Sequence, residues 1–268
     1  MNFIIALFIF IVGTCCGSFL SVIIHRVRKK QKGIFFGRSN CVHCKKKLAA
    51  KDLIPLLSYI LLKGRCRYCH KTLGPYYFFL EFITGLIFLL IYFKFSFLIE
   101  KNSLLLIDWK TLYETFLYFI YSLFFVGIFF YDLQYMEIPN LFLFPLIFVS
   151  LAGSLILGSP GLISIIIALG IALIFFGGQI LLSRGQWLGE GDLYIAIAMA
   201  FIFGWQMLLV AITLMYIIGA IISIILLATK NAKSKSKIPF GPFMIMASFV
   251  TIFTGQEILN WYLKLINL

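Results

Sequence analysis

The sequence predicts an all-α polytopic membrane protein with about eight transmembrane helices and a small cytoplasmic loop domain. Composition is the first observation behind this fold class: 62% of the 268 residues are hydrophobic and 12% are charged, whereas about a quarter of a soluble domain is charged. The second is that several uncharged stretches exceed the roughly twenty residues that a helix needs to cross a bilayer. A soluble protein with one large core is therefore excluded.

The positive charge is confined to one loop, residues 25–75. This loop holds 14 Lys and Arg residues and one acid, Asp52, and accounts for the whole net charge of +13. Cytoplasmic loops of membrane proteins carry such an excess of basic residues, so we place the loop in the cytoplasm. Anionic membrane lipids are predicted partners, because the positive charge of the loop would attract their headgroups. A distribution this local argues against nucleic acid as a partner.

Residues 1–24 form the first predicted transmembrane helix. Its basic residues follow the apolar run, whereas those of a cleaved signal peptide precede it, so the N-terminus is predicted outside. After the cytoplasmic loop domain of residues 25–75, residues 76–114 hold the second helix, which includes Glu81, and a polar external loop.

Residues 115–268 hold the remaining predicted helices. The 46 uncharged residues between Glu137 and Arg184 would extend about 69 Å as one helix. They are therefore predicted to form two spans that turn at "GSPG" (158–161), since Gly and Pro interrupt helices. The final span covers about 241–263.

The stretch after Asp192 requires an even number of crossings. Its 37 uncharged residues precede four lysines within 230–237, which we expect on the cytoplasmic side. We therefore predict a turn near residues 203–205. The sixth hydrophobic segment, residues 193–204, is then either a short transmembrane span or a re-entrant segment.

Two acids, Asp132 and Asp192, are predicted to lie at one depth on the cytoplasmic side. Ionisable residues in membrane helices usually face a bundle interior or an aqueous cavity and mark functional sites. Two neighbouring carboxylates cannot both ionise readily, so one can act as a base and the other as an acid on a peptide bond. The alternative is two unrelated acids that each reach water.

Gly189 and Gly191 precede Asp192 in "GEGD" (189–192). Glycines at a helix start let another backbone approach closely, as an extended substrate peptide would require. The short motif alone is weak and depends on its context.

Four cysteines in the basic loop have metal-ligand spacing. Cys41 and Cys44 form one C-x2-C pair, and Cys66 and Cys69 form a second after 21 intervening residues. Paired C-x2-C motifs suit tetrahedral zinc, and disulfides are disfavoured in the cytoplasm. A redox dithiol is the alternative. Four protein ligands leave no open position, so the zinc is predicted to be structural.

Five blocks in order resemble a bacterial prepilin peptidase, the bifunctional leader peptidase and N-methyltransferase of type IV pili, type II secretion and competence systems. "GSFLSVIIHRV" (17–27) is similar to the family's opening block, and residues 37–85 resemble its zinc domain. "YDLQYMEIPN" (131–140) and "GEGD" resemble its two aspartate motifs, and "IPFGPF" (238–243) resembles its C-terminal signature.

The resemblance implies an intramembrane aspartic peptidase with Asp132 and Asp192 as its catalytic pair. Its substrates would be prepilins or pseudopilins, cut after a glycine at the cytoplasmic face. The new N-terminus would then be methylated from S-adenosylmethionine, with Gly64 and Glu81 on the methyltransfer side. Ser21 replaces the family's usual Asn, which puts substrate contacts or methylation in question.

Three alternatives belong to other classes. A presenilin-type protease also has a GxGD motif but lacks a zinc loop. A transporter that couples through two membrane carboxylates usually shows internal repeats, and none is evident in this sequence. A zinc-bearing membrane scaffold without catalytic activity is the third.

Overall fold

The computed structural model describes residues 2–31, 33–35, 37–95, 98–101, 104–229 and 238–266. The chain divides into two compact units, Met1–Gly127 and Ile128–Leu268. The described part contains seven helical segments long and apolar enough to cross a membrane. They confirm the predicted polytopic helical fold. The four lysines at 230–237 lie outside the described residues.

The first unit is built on two helices that approach closely through glycines. Helix α1 is Asn2–Arg28 and helix α3 is Tyr76–Phe95. A Cβ atom at Gly13 would lie 2.9 Å from the Gly85 Cα, and one at Gly17 would lie 2.9 Å from the Glu81 Cα. Small residues four apart allow such close helix contact in membranes. Gly17 therefore brings the backbone of α1 directly against that of Glu81.

The loop domain between these helices contains little regular structure. It has a 3₁₀ turn at Ala50–Asp52, a short helix α2 at Leu57–Leu61, and two isolated β-bridges. Asp52 accepts hydrogen bonds from the Arg67 Nε at 2.6 Å and the Tyr68 hydroxyl at 3.0 Å. Burial alone would raise the pKa of Asp52, but these bonds and the Ala49 N–H hold it below its usual range. Asp52 thus ties the segment between the cysteine pairs to the second pair.

A short antiparallel hairpin follows α3, with strands β1 (Leu98–Lys101) and β2 (Leu104–Ile107). The sequence predicts a polar external loop here and gives no sign of strands, because four residues are too few for an alternating pattern to be recognised. Helix α4, Trp109–Tyr135, begins after the hairpin. The boundary between the two units falls within α4.

The second unit contains the end of α4 and the helices that follow. Helix α5 is Asn140–Leu157, and the chain turns after it at Gly158, whose φ is 63°, as predicted. Helix α6 (Leu162–Ala172) continues through a π-helical turn (Leu173–Gly177) into α7 (Gly178–Ser183). Helix α8 is Glu190–Ala228 and helix α9 is Gly241–Leu265.

Helix α8 is interrupted at Gly204, where the sequence predicted a turn. Gly204 has φ 67° and ψ −178°, which is not helical. A Cβ atom there would collide with the Ser164 hydroxyl and lie 2.8 Å from the Pro160 Cβ. The Trp205 N–H donates to the Ser164 hydroxyl at 3.2 Å. Gly204 is therefore held against the beginning of α6.

The two limbs of α8 run in opposite directions. Twelve residues after Gly204, the Tyr216 hydroxyl donates to the Gln179 side-chain carbonyl at 3.0 Å, near the end of α7. Tyr216 also interacts electrostatically with Asp192, although a straight helix would separate these residues by about 36 Å. The limb of residues 190–203 spans only about 21 Å. It corresponds to the short sixth hydrophobic segment predicted from the sequence.

Candidate functional site

Asp132 lies in the last turn of α4. Its carbonyl accepts the Met136 N–H at 2.8 Å, and Met136 has φ 52°, at the end of the helix. The Asp132 side chain is only 4% exposed. The helix end thus presents a buried carboxylate to the interior of the second unit.

Asp192 lies in the first turn of α8, and its position is fixed by a mutual capping interaction. One carboxylate oxygen accepts the Gly189 N–H at 3.0 Å, while the Asp192 N–H donates to the Gly189 carbonyl at 3.1 Å. The side chain is 6% exposed. Carboxylates are favoured at helix N-termini because the first N–H groups have no partner within the helix.

The structure brings the two carboxylates close enough to interact electrostatically. The backbone N–H of Gly241, the first residue of α9, donates a hydrogen bond to Asp132. A Cβ atom at Gly241 would lie 2.6 Å from an Asp132 carboxylate oxygen. The segment 238–243, which resembles the family's C-terminal signature, therefore contacts Asp132 directly.

Ile138 packs between the glycines beside the two acids. A Cβ atom at Gly191 would lie 3.0 Å from the Ile138 Cδ1, and one at Gly241 would lie 3.4 Å from the same atom. The missing side chain at Gly191 thus makes room for Ile138. Gly189 has no such neighbour, since the heavy atom nearest to a Cβ atom built there is an Asp192 carboxylate oxygen at 3.7 Å. Sequence reasoning did not identify Ile138.

Tyr216 is a second residue near the acids that the sequence did not indicate. In addition to its hydrogen bond to Gln179 and its electrostatic interaction with Asp192, its ring packs on Phe240 with centroids 5.6 Å apart. Phe240 immediately precedes Gly241. Aromatic packing of this kind fixes where α9 begins relative to α8.

The sulfur atoms of Cys41, Cys44, Cys66 and Cys69 all lie within 4.8 Å of one another. All four are free thiols, with Cys41 and Cys66 buried. The Cys41 and Cys69 sulfurs are 4.0 Å apart, too far for a disulfide. The distance is close to the roughly 3.8 Å between sulfurs that tetrahedral Zn–S bonds of about 2.3 Å imply. The donor set therefore fits zinc.

The two cysteine pairs have matching backbone turns. The Cys41 N–H donates to the Lys46 carbonyl and the Cys66 N–H to the Lys71 carbonyl, each at 3.0 Å. The two pairs together bring all four thiols to one point. This repeated local geometry comes from the paired C-x2-C spacing that the sequence displayed.

A cavity of about 450 Å³ lies in the first unit beside the cysteine cluster. Residues of α1, of the loop domain and of α3 line it, including Ser21, Tyr59, Cys41, Cys66 and Glu81. Its volume is within the range of about 300–1,000 Å³ typical of small-molecule sites.

Glu81 lies in the cavity wall and is 9% exposed. Its carboxylate accepts the Leu56 N–H at 2.8 Å and a hydrogen bond from Ser18. Leu56 has φ 60°, so this bond holds a turn in an uncommon conformation.

Gly64 does not line the cavity itself but lies beside Tyr59, which does. It has φ 68°, and a Cβ atom there would lie 2.8 Å from the Tyr59 hydroxyl oxygen. That hydroxyl donates to the Leu73 carbonyl at 3.2 Å, and Tyr59 lines the cavity. Gly64 thus affects the cavity through Tyr59.

Two family models match the chain. The model of the bacterial peptidase A24 N-terminal domain matches residues 11–95, and that of the type IV leader peptidase family matches residues 117–224. No solved structure matches the chain.

Curated relatives named "Prepilin leader peptidase/N-methyltransferase" align over nearly the whole chain. The relative from Aeromonas hydrophila is 27% identical over 95% of this chain and 92% of its own length. That from Legionella pneumophila is 27% identical over 93% of this chain and 83% of its own length. That from Bacillus subtilis is 25% identical over 96% of this chain and 97% of its own length.

Proposed function

This chain belongs to the type IV leader peptidase family, and we propose that it removes the leader from prepilins with a catalytic pair formed by Asp132 and Asp192. The observation that carries the proposal is that two buried carboxylates lie near enough to interact electrostatically, on helices that the type IV leader peptidase family model covers. The relatives named above support a peptidase that also has N-methyltransferase activity.

The pair has the groups that peptide hydrolysis needs. When two carboxylates hold one proton between them, the ionised member can take a proton from water while the protonated member donates one to the leaving amine. The backbone N–H groups of Gly189 and Gly241 each hold one of the acids in place. Such fixed orientation lowers the entropic cost of reaching the transition state.

The substrate is proposed to be a prepilin or pseudopilin whose leader is cut after a glycine. The cut would lie on the cytoplasmic side of the substrate's hydrophobic helix, in the inner membrane. The seven apolar helices found among the described residues support a multi-pass membrane location. Membership of the family favours this function over the presenilin-type protease and the transporter, and the cleavage assay distinguishes it from the inactive scaffold.

Methylation of the new N-terminus is the second proposed activity. S-adenosylmethionine would supply the methyl group. The cysteine cluster would hold a structural zinc ion, because its four ligands leave no open position for water or substrate. The zinc would hold the cavity wall together, since Cys41 and Cys66 are part of that wall.

The experiment that tests the peptidase proposal uses Asp132→Asn and Asp192→Asn. Each purified variant is incubated with a prepilin, and leader removal is followed by electrophoresis and mass spectrometry. We expect both variants to lose activity, because Asn can neither accept nor donate the required proton. Glu190→Gln is the matched control, since Glu190 is exposed and two residues from Asp192. Normal leader removal by either Asn variant would refute the assignment.

A further inference from the structure

We propose that helix α2 of the loop domain anchors this domain in the membrane interface by inserting one apolar face into the cytoplasmic leaflet. The contact is made by leucine and isoleucine side chains that the fold leaves exposed, and the occupant is the phospholipid bilayer itself. The proposal concerns how the loop domain is held, so it does not depend on the proposed peptidase or methyltransferase activity.

Four large apolar side chains are exposed along one side of α2 and the turn before it. Leu57, Ile60 and Leu61 have the i, i+3, i+4 spacing that places side chains on one face of a helix. Their exposed fractions are 57%, 58% and 79%. Ile54, three residues before the helix, is also exposed. We call these four residues the α2 patch. Contiguous apolar patches on a protein surface mark interaction sites.

The other side of α2 packs on the beginning of α3. The Tyr59 and Phe78 ring centroids are 5.6 Å apart, and the Leu56 N–H donates to the Glu81 carboxylate at 2.8 Å. Phe78 and Glu81 are the third and sixth residues of α3, so both contacts fall within about 8 Å of its start. Helix α2 therefore lies beside the first turns of α3 and not beyond its end.

The first turns of α3 lie at the boundary of the bilayer core. The 20 residues of this helix extend about 30 Å, which is the thickness of the hydrocarbon core. Phe78 also contacts the rings of Phe79 and Phe82, with centroids 5.9 and 6.1 Å away, and both of these side chains are exposed. Ring contacts thus connect α2 to the apolar surface that α3 presents to lipid.

Charge on both sides of the α2 patch suits a bilayer surface. Exposed Lys51 and Lys63 flank the patch in the chain, and lysine side chains can place their ammonium groups among headgroups while their methylenes cover apolar surface. Asp52, the one acid of residues 25–75, is bonded to Arg67. An apolar face bordered by basic residues is typical of helices that lie in the membrane interface.

A second copy of the chain is the main competing occupant of the α2 patch. Such a contact would bring two strongly basic loops together, and like charges repel. The patch offers four side chains, whereas a stable protein interface involves about 20–30 residues a side. The hydrophobic helix of a prepilin is the other competing occupant, and the experiment below separates both from lipid.

Photocrosslinking from the α2 patch identifies the molecule that covers it. Leu57→p-benzoylphenylalanine and Leu61→p-benzoylphenylalanine are made in the full-length, zinc-loaded protein in lipid nanodiscs. Lys47, an exposed residue of the loop domain outside α2, receives the same replacement as the matched control. After irradiation, mass spectrometry distinguishes adducts with phospholipid, with a second copy and with an added prepilin. Thermal unfolding and zinc content show that each variant is folded.

We expect phospholipid adducts at positions 57 and 61 to be several-fold more abundant than at position 47. Because the contact is apolar, these adducts should form in nanodiscs of phosphatidylcholine alone, as well as in nanodiscs that contain phosphatidylglycerol. Attraction of the basic loop to headgroups would by itself require the anionic lipid. The two nanodisc compositions therefore separate insertion from charge attraction.

Leu61→Trp provides a second measurement that needs no crosslink. Its added fluorescence, after subtraction of the wild-type signal, should be quenched by lipids brominated on the upper part of the acyl chain and only weakly by acrylamide in the water. Lys47→Trp should show the opposite pattern.

Three results would overturn the proposal. The first is a set of adducts at positions 57 and 61 that contain protein in place of lipid, and the second is lipid adducts there no more abundant than at position 47. The third is the loss of lipid adducts in nanodiscs of phosphatidylcholine alone. Cleavage of a prepilin by the wild type is measured separately, so none of these results bears on the peptidase proposal.

Discussion

The backbone N–H of Gly241 donates a hydrogen bond to Asp132, and a side chain at position 241 would collide with the same carboxylate. This contact joins the beginning of α9 to the end of α4. It gives the proline-bounded segment "IPFGPF" a physical role, because the segment places a backbone donor where only glycine fits.

Gly241→Ala should therefore lower leader removal roughly 10- to 100-fold, since displacement of a catalytic group by less than 1 Å has effects of this size. The added methyl group would lie 2.6 Å from the Asp132 oxygen. Steady-state cleavage of a prepilin by purified variants measures the effect. Gly170→Ala is the control, because no heavy atom lies within 4 Å of a Cβ there. Equal rates for the two variants would show that the contact is unimportant.

Ile138 and Gly191 should behave as a coupled pair. Gly191→Ala alone would crowd the Ile138 Cδ1, which would be 3.0 Å from the new methyl group. Overpacking of this kind costs about 1–3 kcal/mol. The double variant with Ile138→Ala should recover part of the lost cleavage, because the crowding atoms are removed. A double-mutant cycle on cleavage rates measures the coupling, and strictly additive effects would contradict the proposed packing.

Gly64→Ala should weaken methylation more than leader removal. An alanine at φ 68° is strained by about 1–2 kcal/mol, and its methyl group would push the Tyr59 ring, which lines the cavity. Mass spectrometry of the processed pilin separates the two products, since methylation adds one methyl group. Gly74→Ala is the control, because no atom lies within 4 Å of a Cβ there and its φ is not positive. An equal loss in both variants would exclude this role of Gly64.

Removal of zinc should disrupt the first unit selectively. Cys66→Ser should reduce bound zinc below about one ion per chain, because three thiolates bind the metal less tightly than four. Methylation should fall more than cleavage, since the acids belong to the second unit. Cys15→Ser is the matched control, because Cys15 is an exposed residue of α1 outside the cluster. Full zinc occupancy in Cys66→Ser would rule out a four-cysteine site.

The sequence was sufficient to predict features that depend on hydropathy and local spacing. The ends of apolar stretches predicted Asp132 at the end of one helix and Asp192 at the start of another, and a stretch too long for one helix indicated the turn at Gly204. The C-x2-C pairs predicted the cysteine cluster because each pair forms its own turn. The polytopic helical fold followed from composition.

Other features depend on contacts between distant segments, and sequence patterns do not show these. Ile138 is an ordinary apolar residue in the sequence, and only packing places it between Gly191 and Gly241. Tyr216 lies near Asp192 because α8 reverses at Gly204, which brings together residues far apart along the helix. The cavity beside Glu81 likewise requires the loop domain to fold back on α1.

The central claim is that Asp132 and Asp192 act as one catalytic unit, and comparing the double variant Asp132→Asn/Asp192→Asn with each single variant tests it most directly. The measurement is the rate of leader removal from one prepilin at saturating substrate. Residues that act as a unit are strongly non-additive, so each single variant should be as slow as the double variant. A single variant that retains substantial activity, or a double variant whose loss is the product of the two single losses, would contradict the account.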